Sequence, residues 1–240
     1  MNTALIFAGG TGTRMTGAGK PKQFLELNGK PVIVYTIEHF ENHPEIDSID
    51  VVCKADWLDY MNKLVEKYCL KKVKWVVPGG STSQESTRNG LYAVAKDQDP
   101  KDTIVLIHDG VRPLINSKVI TDNIACVKAN GNAITCAPAI ETIVTSNDGS
   151  AIDSIIDRSI CRLARAPQSF YLADIIGAHE RAIAEGYDKM IDSCSLMTYY
   201  GVKLHVVDGP AENIKITTPT DFYVFRAMNE AKENSQILGV

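Results

Sequence analysis

What most constrains this chain is its alternation of short, almost wholly apolar β-branched runs with helical stretches. Strands are expected at residues 4–8, 49–53, 73–77, 103–107 and 133–137. Helices are expected between them at 31–40, 57–68, 83–95 and 119–127. A strand without a polar face must be covered on both sides, so the pattern predicts an α/β fold with a mostly parallel sheet between two helical layers. Open sheets of this kind bind ligands at the carboxyl ends of their strands. The loops after Ala8, Val77 and Ile107 are therefore the candidate site.

The alternation breaks at about 139–165. Residues 141–146 and 151–156 read as two strands around Asn147-Asp148-Gly149, a turn signal. This predicts a β-hairpin arm projecting from the sheet. Helices return at 172–185 and 192–200, followed by a strand at 203–207 and a final helix from about 219 to 232. Residues 213–217 read as a short alternating strand, with Lys215 facing away from Ile214 and Ile216. With no repeat and no linker-like tract, residues 1–240 are expected to form one domain.

Composition narrows the partners. The 25 Lys+Arg against 29 Asp+Glu leave a formal charge of −4, which gives no broad attraction to nucleic acid or to an anionic membrane. Anion binding must then come from a local cluster. No apolar run approaches the ~20 residues that span a bilayer, and the start lacks the pattern of a signal peptide. The six cysteines contain no C-x-x-C pair, so buried free thiols in the cytoplasm are expected rather than disulfides or a zinc site.

The loop after the first strand holds the densest chemistry. Ala8, Gly9, Gly10, Thr11 and Gly12 lead into Arg14, with Lys20, Pro21 and Lys22 close behind. Glycines there let backbone N–H groups approach a phosphate. The Walker A spacing is absent, and Met15 stands where a dinucleotide fingerprint needs its third glycine, which argues against a nicotinamide oxidoreductase. Cations beside such a loop suit a triphosphate, whose α-phosphoryl oxygens and leaving pyrophosphate gain charge during substitution.

Six segments in order resemble one family. AGGTGTRM, PKQF, GGSTSQESTRNGL at 79–91, HDGVRP at 108–113, APQSF at 166–170 and NIKITTPTD at 213–221 are similar to the IspD/TarI cytidylyltransferases across almost the whole chain. The resemblance implies a Rossmann-like sheet, a homodimer with interlocked arms, and transfer of CMP from CTP to a polyol phosphate with release of pyrophosphate. It implies catalytic roles for Arg14, Lys22, Arg158 and Lys215, the first two at the α-phosphate. Nucleotide binding is implied for Ala8, Gly9, Gly10, Thr11, Gly12, Gly80, Ser81 and Ser86. It implies acceptor contacts for Asp109, Arg112, Thr142 and Arg158. Mg²⁺ is implied as the divalent cation, held mostly by CTP phosphates, with Asp109 as its protein ligand.

Two branches of that family differ in acceptor. The methylerythritol-phosphate branch typically has a lysine two residues after the pocket threonine, where this chain has Val144. Gly10, where that branch usually has alanine, also leans towards the ribitol-5-phosphate branch of teichoic acid and capsule synthesis. Asp157-Arg158-Ser159 and residues 192–201 are closer to the methylerythritol branch, and Ala166 replaces the threonine usual in both. The expected acceptor is D-ribitol 5-phosphate. His108 is expected to be a packed histidine, because an ionised phosphate nucleophile needs no general base.

Overall fold

The computed structural model describes residues 1–9, 20–187 and 190–238, with side chains described through residue 234. Five of the expected strands are present: β1 (Asn2–Ala8), β4 (Ser48–Cys53), β5 (Val73–Pro78), β6 (Ile104–Asp109) and β7 (Asn132–Pro138). A small hairpin that the apolar pattern missed, β2 (Glu26–Leu27) and β3 (Lys30–Pro31), precedes the first helix. Helices α1 (Val32–Glu41), α2 (Leu58–Lys67), α3 (Ser83–Ala95) and α4 (Ser117–Asn130) connect the strands as expected. Their ends follow local chemistry. Thr82 caps α3 by accepting from Glu85 N, Asn116 caps α4 by accepting from Val119 N, and Gly131 ends α4 at φ 86°.

Beyond β7 come the arm strands β8 (Ile143–Thr145) and β9 (Ser154–Ile156), then the long β10 (Arg162–Tyr171). Helices α5 (Leu172–Ala184) and α6 (Ser193–Tyr199), strand β11 (Val206–Asp208) and helix α7 (Pro219–Leu238) complete the chain. The main sheet has seven strands in the order β11-β7-β10-β6-β1-β4-β5. All neighbours run parallel except β10, which is antiparallel to both β6 and β7. The fold is the expected mostly parallel, Rossmann-like sheet. Helices α1, α2 and α4 bury Ile33, Met61 and Ile120 on one face. Helices α3, α5 and α6 bury Leu91, Ile175 and Leu196 on the other.

Four expectations need correction. First, β10 is a central strand absent from the expected elements, and it holds Pro167, a residue that central strands seldom carry. The chain accommodates it with a register shift between Ala164 and Gln168 around a cis Ala166–Pro167 peptide. Second, the strand expected at 203–207 begins only at Val206. The Asn132 side chain takes the His205 N–H and the Lys203 carbonyl, groups that a longer ladder would have used. Third, residues 213–217 are not a strand. Ile216 N bonds to Val111 O and Asn213 Nδ2 to Ala166 O, fixing an extended segment in which Ile216 is buried and Lys215 exposed. Fourth, the arm strands are three residues each, shorter than expected, because Asn147 N bonds to Asp153 and Gly149, at φ 76°, bonds to Ser146 in the turn.

All six cysteines are free, as expected; Cys53 and Cys136 are buried, whereas Cys69 is exposed. Among the described residues no helix is long and apolar enough to cross a membrane.

Candidate active site

The strand register brings the site loops together. Ala8 pairs with Cys53, Cys53 with Pro78, and Phe7 with Asp109, so β1, β4, β5 and β6 end side by side. Gly79 N donates to Cys53 O at 2.8 Å and Gly110 N to Phe7 O at 2.9 Å, tying two of the loops to neighbouring strands. Between them lies a cavity of about 460 Å³ lined by Phe7, Gly9, Lys54, Gly80, Ser81 and Ser86 among others. Of the expected nucleotide residues, Gly9, Gly80, Ser81 and Ser86 thus meet around one space. Phe7, Lys54 and Asp56 also line it, and no motif pointed to them; only their position at the ends of β1 and β4 could have.

The loop after β5 is held by the first turn of α3. Ser86 Oγ accepts from Gly80 N at 2.9 Å and donates to Thr82 O at 2.8 Å. Ser86 is buried, so its hydroxyl serves the loop rather than solvent. Glu85 Oε2 accepts from Ser81 N at 2.7 Å and from Ser81 Oγ at 2.6 Å. Glu85 was not among the expected site residues, although Thr82-Ser83-Gln84-Glu85 matches a capping box.

At the start of the chain, Gly10, Thr11, Gly12 and Arg14 lie outside the described residues. The segment after Lys20 is anchored at two points. Gln23 is buried and donates to Ala8 O at 2.6 Å. Phe24 is fully buried and stacks on Trp57 with ring centroids 4.9 Å apart. These two anchors fix the short 3₁₀ turn that begins at Lys22. Burial of Asp221 would raise its carboxyl pKa, but bonds from Thr217 and Thr218, with the Lys22 charge, draw it below its ordinary value. Lys22 is therefore within electrostatic reach of the start of α7, beside the Lys215 segment.

The second cluster forms where β6 ends. Asp109 Oδ1 accepts from Lys215 Nζ at 2.6 Å and Oδ2 from Arg112 Nε at 2.8 Å. Arg112 Nη1 continues to Asn213 O at 2.9 Å, binding the 213–217 segment to the loop after β6. Burial by itself would raise the Asp109 pKa, but the Lys215 and Arg112 charges hold it well below the carboxylate range. Asp109 is thus an ion-pair partner that gathers two of the expected site cations, Arg112 and Lys215, at the end of β6. Lys215 keeps 44% of its side chain exposed, so it can turn to an incoming anion. His108 is packed as expected. Burial pushes it down to about 3 and Phe40 lies against its ring, so it stays neutral.

Arg158 and Thr142 stand apart from this cluster within the chain. Both lie on the exposed arm, where Arg158 Nη1 donates to Ile140 O at 2.6 Å. Among the described residues no group of three or more His, Cys, Asp or Glu could hold a metal ion. Asp109 offers a single carboxylate, a donor set that fits a cation carried mainly by substrate phosphates.

A glycine-bearing cavity, a carboxylate and cations at adjoining strand ends suit an enzyme that handles a nucleotide. A family model described as "IspD: 2-C-methyl-D-erythritol 4-phosphate cytidylyltransferase" matches residues 2–230. The chain is 55% identical over its full length, and that of its relative, to a ribitol-5-phosphate cytidylyltransferase of Streptococcus agalactiae. A protein of the same description from Vibrio parahaemolyticus is 53% identical, again over the whole of both chains. The crystal structure of 4-diphosphocytidyl-2C-methyl-D-erythritol synthase from Anaerococcus prevotii superposes with a TM-score of 0.80 at 29% identity, covering 95% of this chain and 96% of that one. The chain belongs to the IspD cytidylyltransferase family and is a nucleotidyltransferase, an enzyme class that uses CTP.

Proposed function

We propose that this enzyme transfers CMP from CTP to D-ribitol 5-phosphate, giving CDP-ribitol and pyrophosphate. The observation that carries the transfer is the Asp109–Arg112–Lys215 cluster beside the glycine-lined cavity. The acceptor follows the full-length relatives at 53% and 55% identity, whose description names ribitol 5-phosphate. Val144, which brings no charge to the arm, agrees with that choice. The alternative acceptor is 2-C-methylerythritol 4-phosphate, named by the family model and by the Anaerococcus structure.

In this reading the cytidine end of CTP enters the cavity between Gly9 and the Gly80–Ser86 loop, with Ala8 and Gly10 to Gly12 along the nucleotide. Arg14 and Lys22 meet the α-phosphoryl oxygens, where charge grows as the bond to pyrophosphate breaks. An oxygen of the acceptor phosphate forms the new bond to that phosphorus in line with the departing group. Lys215 and Arg158 position the acceptor phosphate, while Asp109, Arg112 and Thr142 hold its polyol. No proton need be removed from an ionised phosphate, consistent with the neutral His108. Asp109 would be this chain's ligand to a magnesium ion, which when bound would supply charge neutralisation at the phosphate oxygens.

The active form is a homodimer in the cytoplasm. The arm exposes Ile140, Ile152, Ile155 and Ile160, each at least 65% accessible, and a lone hairpin of this size is marginal in water. Pairing with a second arm would cover them and carry Arg158 and Thr142 to the neighbouring site. The activity is tested by incubating the protein with CTP, magnesium and each polyol phosphate and identifying the product by mass spectrometry. CDP-ribitol is expected; absence of any CDP-polyol would overturn the reading.

A further inference from the structure

The loop from Gly79 to Thr82 borders the cavity, yet much of what fixes it comes from one half-buried side chain that does not line that cavity. The Glu85 carboxylate binds both the main chain and the hydroxyl of Ser81, at 2.7 and 2.6 Å, while Glu85 N binds the Thr82 hydroxyl at 3.0 Å. The same carboxylate packs where a side chain on Gly80 would have to go. A Cβ there would stand 2.2 Å from Glu85 Cγ and 2.6 Å from Oε2.

This arrangement has a directional consequence. The N–H groups of Gly80 and Ser81 are engaged by Ser86 and Glu85, which leaves their carbonyl oxygens, with only a long 3.4 Å bond from Ser86 Oγ to Gly80 O, as the backbone groups these two residues can offer a ligand. Carbonyl acceptors complement the exocyclic amino group of cytosine. They oppose the carbonyl that uracil carries at the same place, where two acceptors would face each other.

We propose that Glu85 is a positioning residue for base selection, holding the Gly80–Ser81 backbone so that it accepts from a cytosine amino group and rejects uracil. The inference rests on the cavity being the nucleoside end of the CTP site. Its Ser81 hydrogen bonds hold the Glu85 carboxyl below its ordinary pKa, so it remains an acceptor at neutral pH.

The test compares steady-state kinetics with CTP and UTP for the wild type, Glu85→Ala, Glu85→Gln, Gly80→Ala and the Glu85→Ala/Gly80→Ala double variant, with thermal unfolding of each. Loss of one hydrogen bond to a charged group predicts about a tenfold rise in KM for CTP in Glu85→Ala. The preference for CTP over UTP should fall about as far, with kcat changed much less. Glu85→Gln keeps an acceptor oxygen and should restore most of the preference. Gly80→Ala must displace the carboxylate, so its effect should merge with that of Glu85→Ala in the double variant rather than add to it. Thermal stability should move much less than the base preference, because Glu85 is only half-buried and its carboxylate bonds the loop rather than the core. A selective wild type matched by an equally selective, folded Glu85→Ala variant would overturn the proposal alone. A wild type indifferent to the base would overturn the reading of the cavity beneath it.

Discussion

Lys22 and Lys215 are held by different parts of the fold, and their expected effects differ accordingly. Lys215 is already neutralised by Asp109 at 2.6 Å, so its removal also leaves a carboxylate short of one partner. Lys22 starts a turn pinned by the buried Gln23 and Phe24, which fixes its backbone. A cation fixed in advance acts on the charge that develops during reaction rather than on binding. Lys22→Ala should therefore lower kcat by on the order of 10²–10³ and change KM for CTP little. If only KM changed, the assigned role would be wrong. Most of these residues were legible because they sit in short loops after apolar strands. Glu85 and Phe7 were not, since one acts through a hydrogen bond to Ser81 and the other takes its place from the strand ending beside it.

At the scale of elements, the proposed dimer turns on the arm. Its strands pair only Ile143–Thr145 with Ser154–Ile156, and Ile155 is 70% exposed at their centre. Mixing inactive Lys22→Ala and Arg158→Ala enzymes under subunit exchange should restore activity, because a mixed dimer regains one site with both native side chains. If exchange is demonstrated and activity does not return, Arg158 acts within its own chain. The arm was readable from its turn signal. Its continuation into β10 was not, because the cis Ala166–Pro167 peptide and the register shift beside it are decided by packing between β6 and β7.

The whole molecule carries an electrostatic cost at the centre of its sheet. Asp50 on β4 is fully buried with neither side-chain oxygen bonded, and a Cβ on Gly90 of α3 would lie 2.7 Å from its Oδ2. Burial raises its pKa well above the ordinary carboxylate value. A raised folded-state pKa gives stability that is full below the unfolded value of about 4 and is lost as pH climbs through the folded value. Denaturant unfolding of the wild type should therefore weaken with rising pH relative to Asp50→Asn, by at most about 1.4 kcal/mol per pH unit. Parallel curves for the two proteins would show that Asp50 does not titrate on unfolding. The apolar run around residue 50 foretold a buried strand, but nothing in the sequence marked this aspartate as its unpaired member.

The enzyme joins one nucleotide to one acceptor, and the most direct measurement is pyrophosphate release from CTP with each polyol phosphate, assayed side by side for kcat/KM. D-Ribitol 5-phosphate should be the better acceptor, with 2-C-methylerythritol 4-phosphate poor. An equal or higher kcat/KM for the methylerythritol compound would contradict the account and assign the enzyme to the other acceptor.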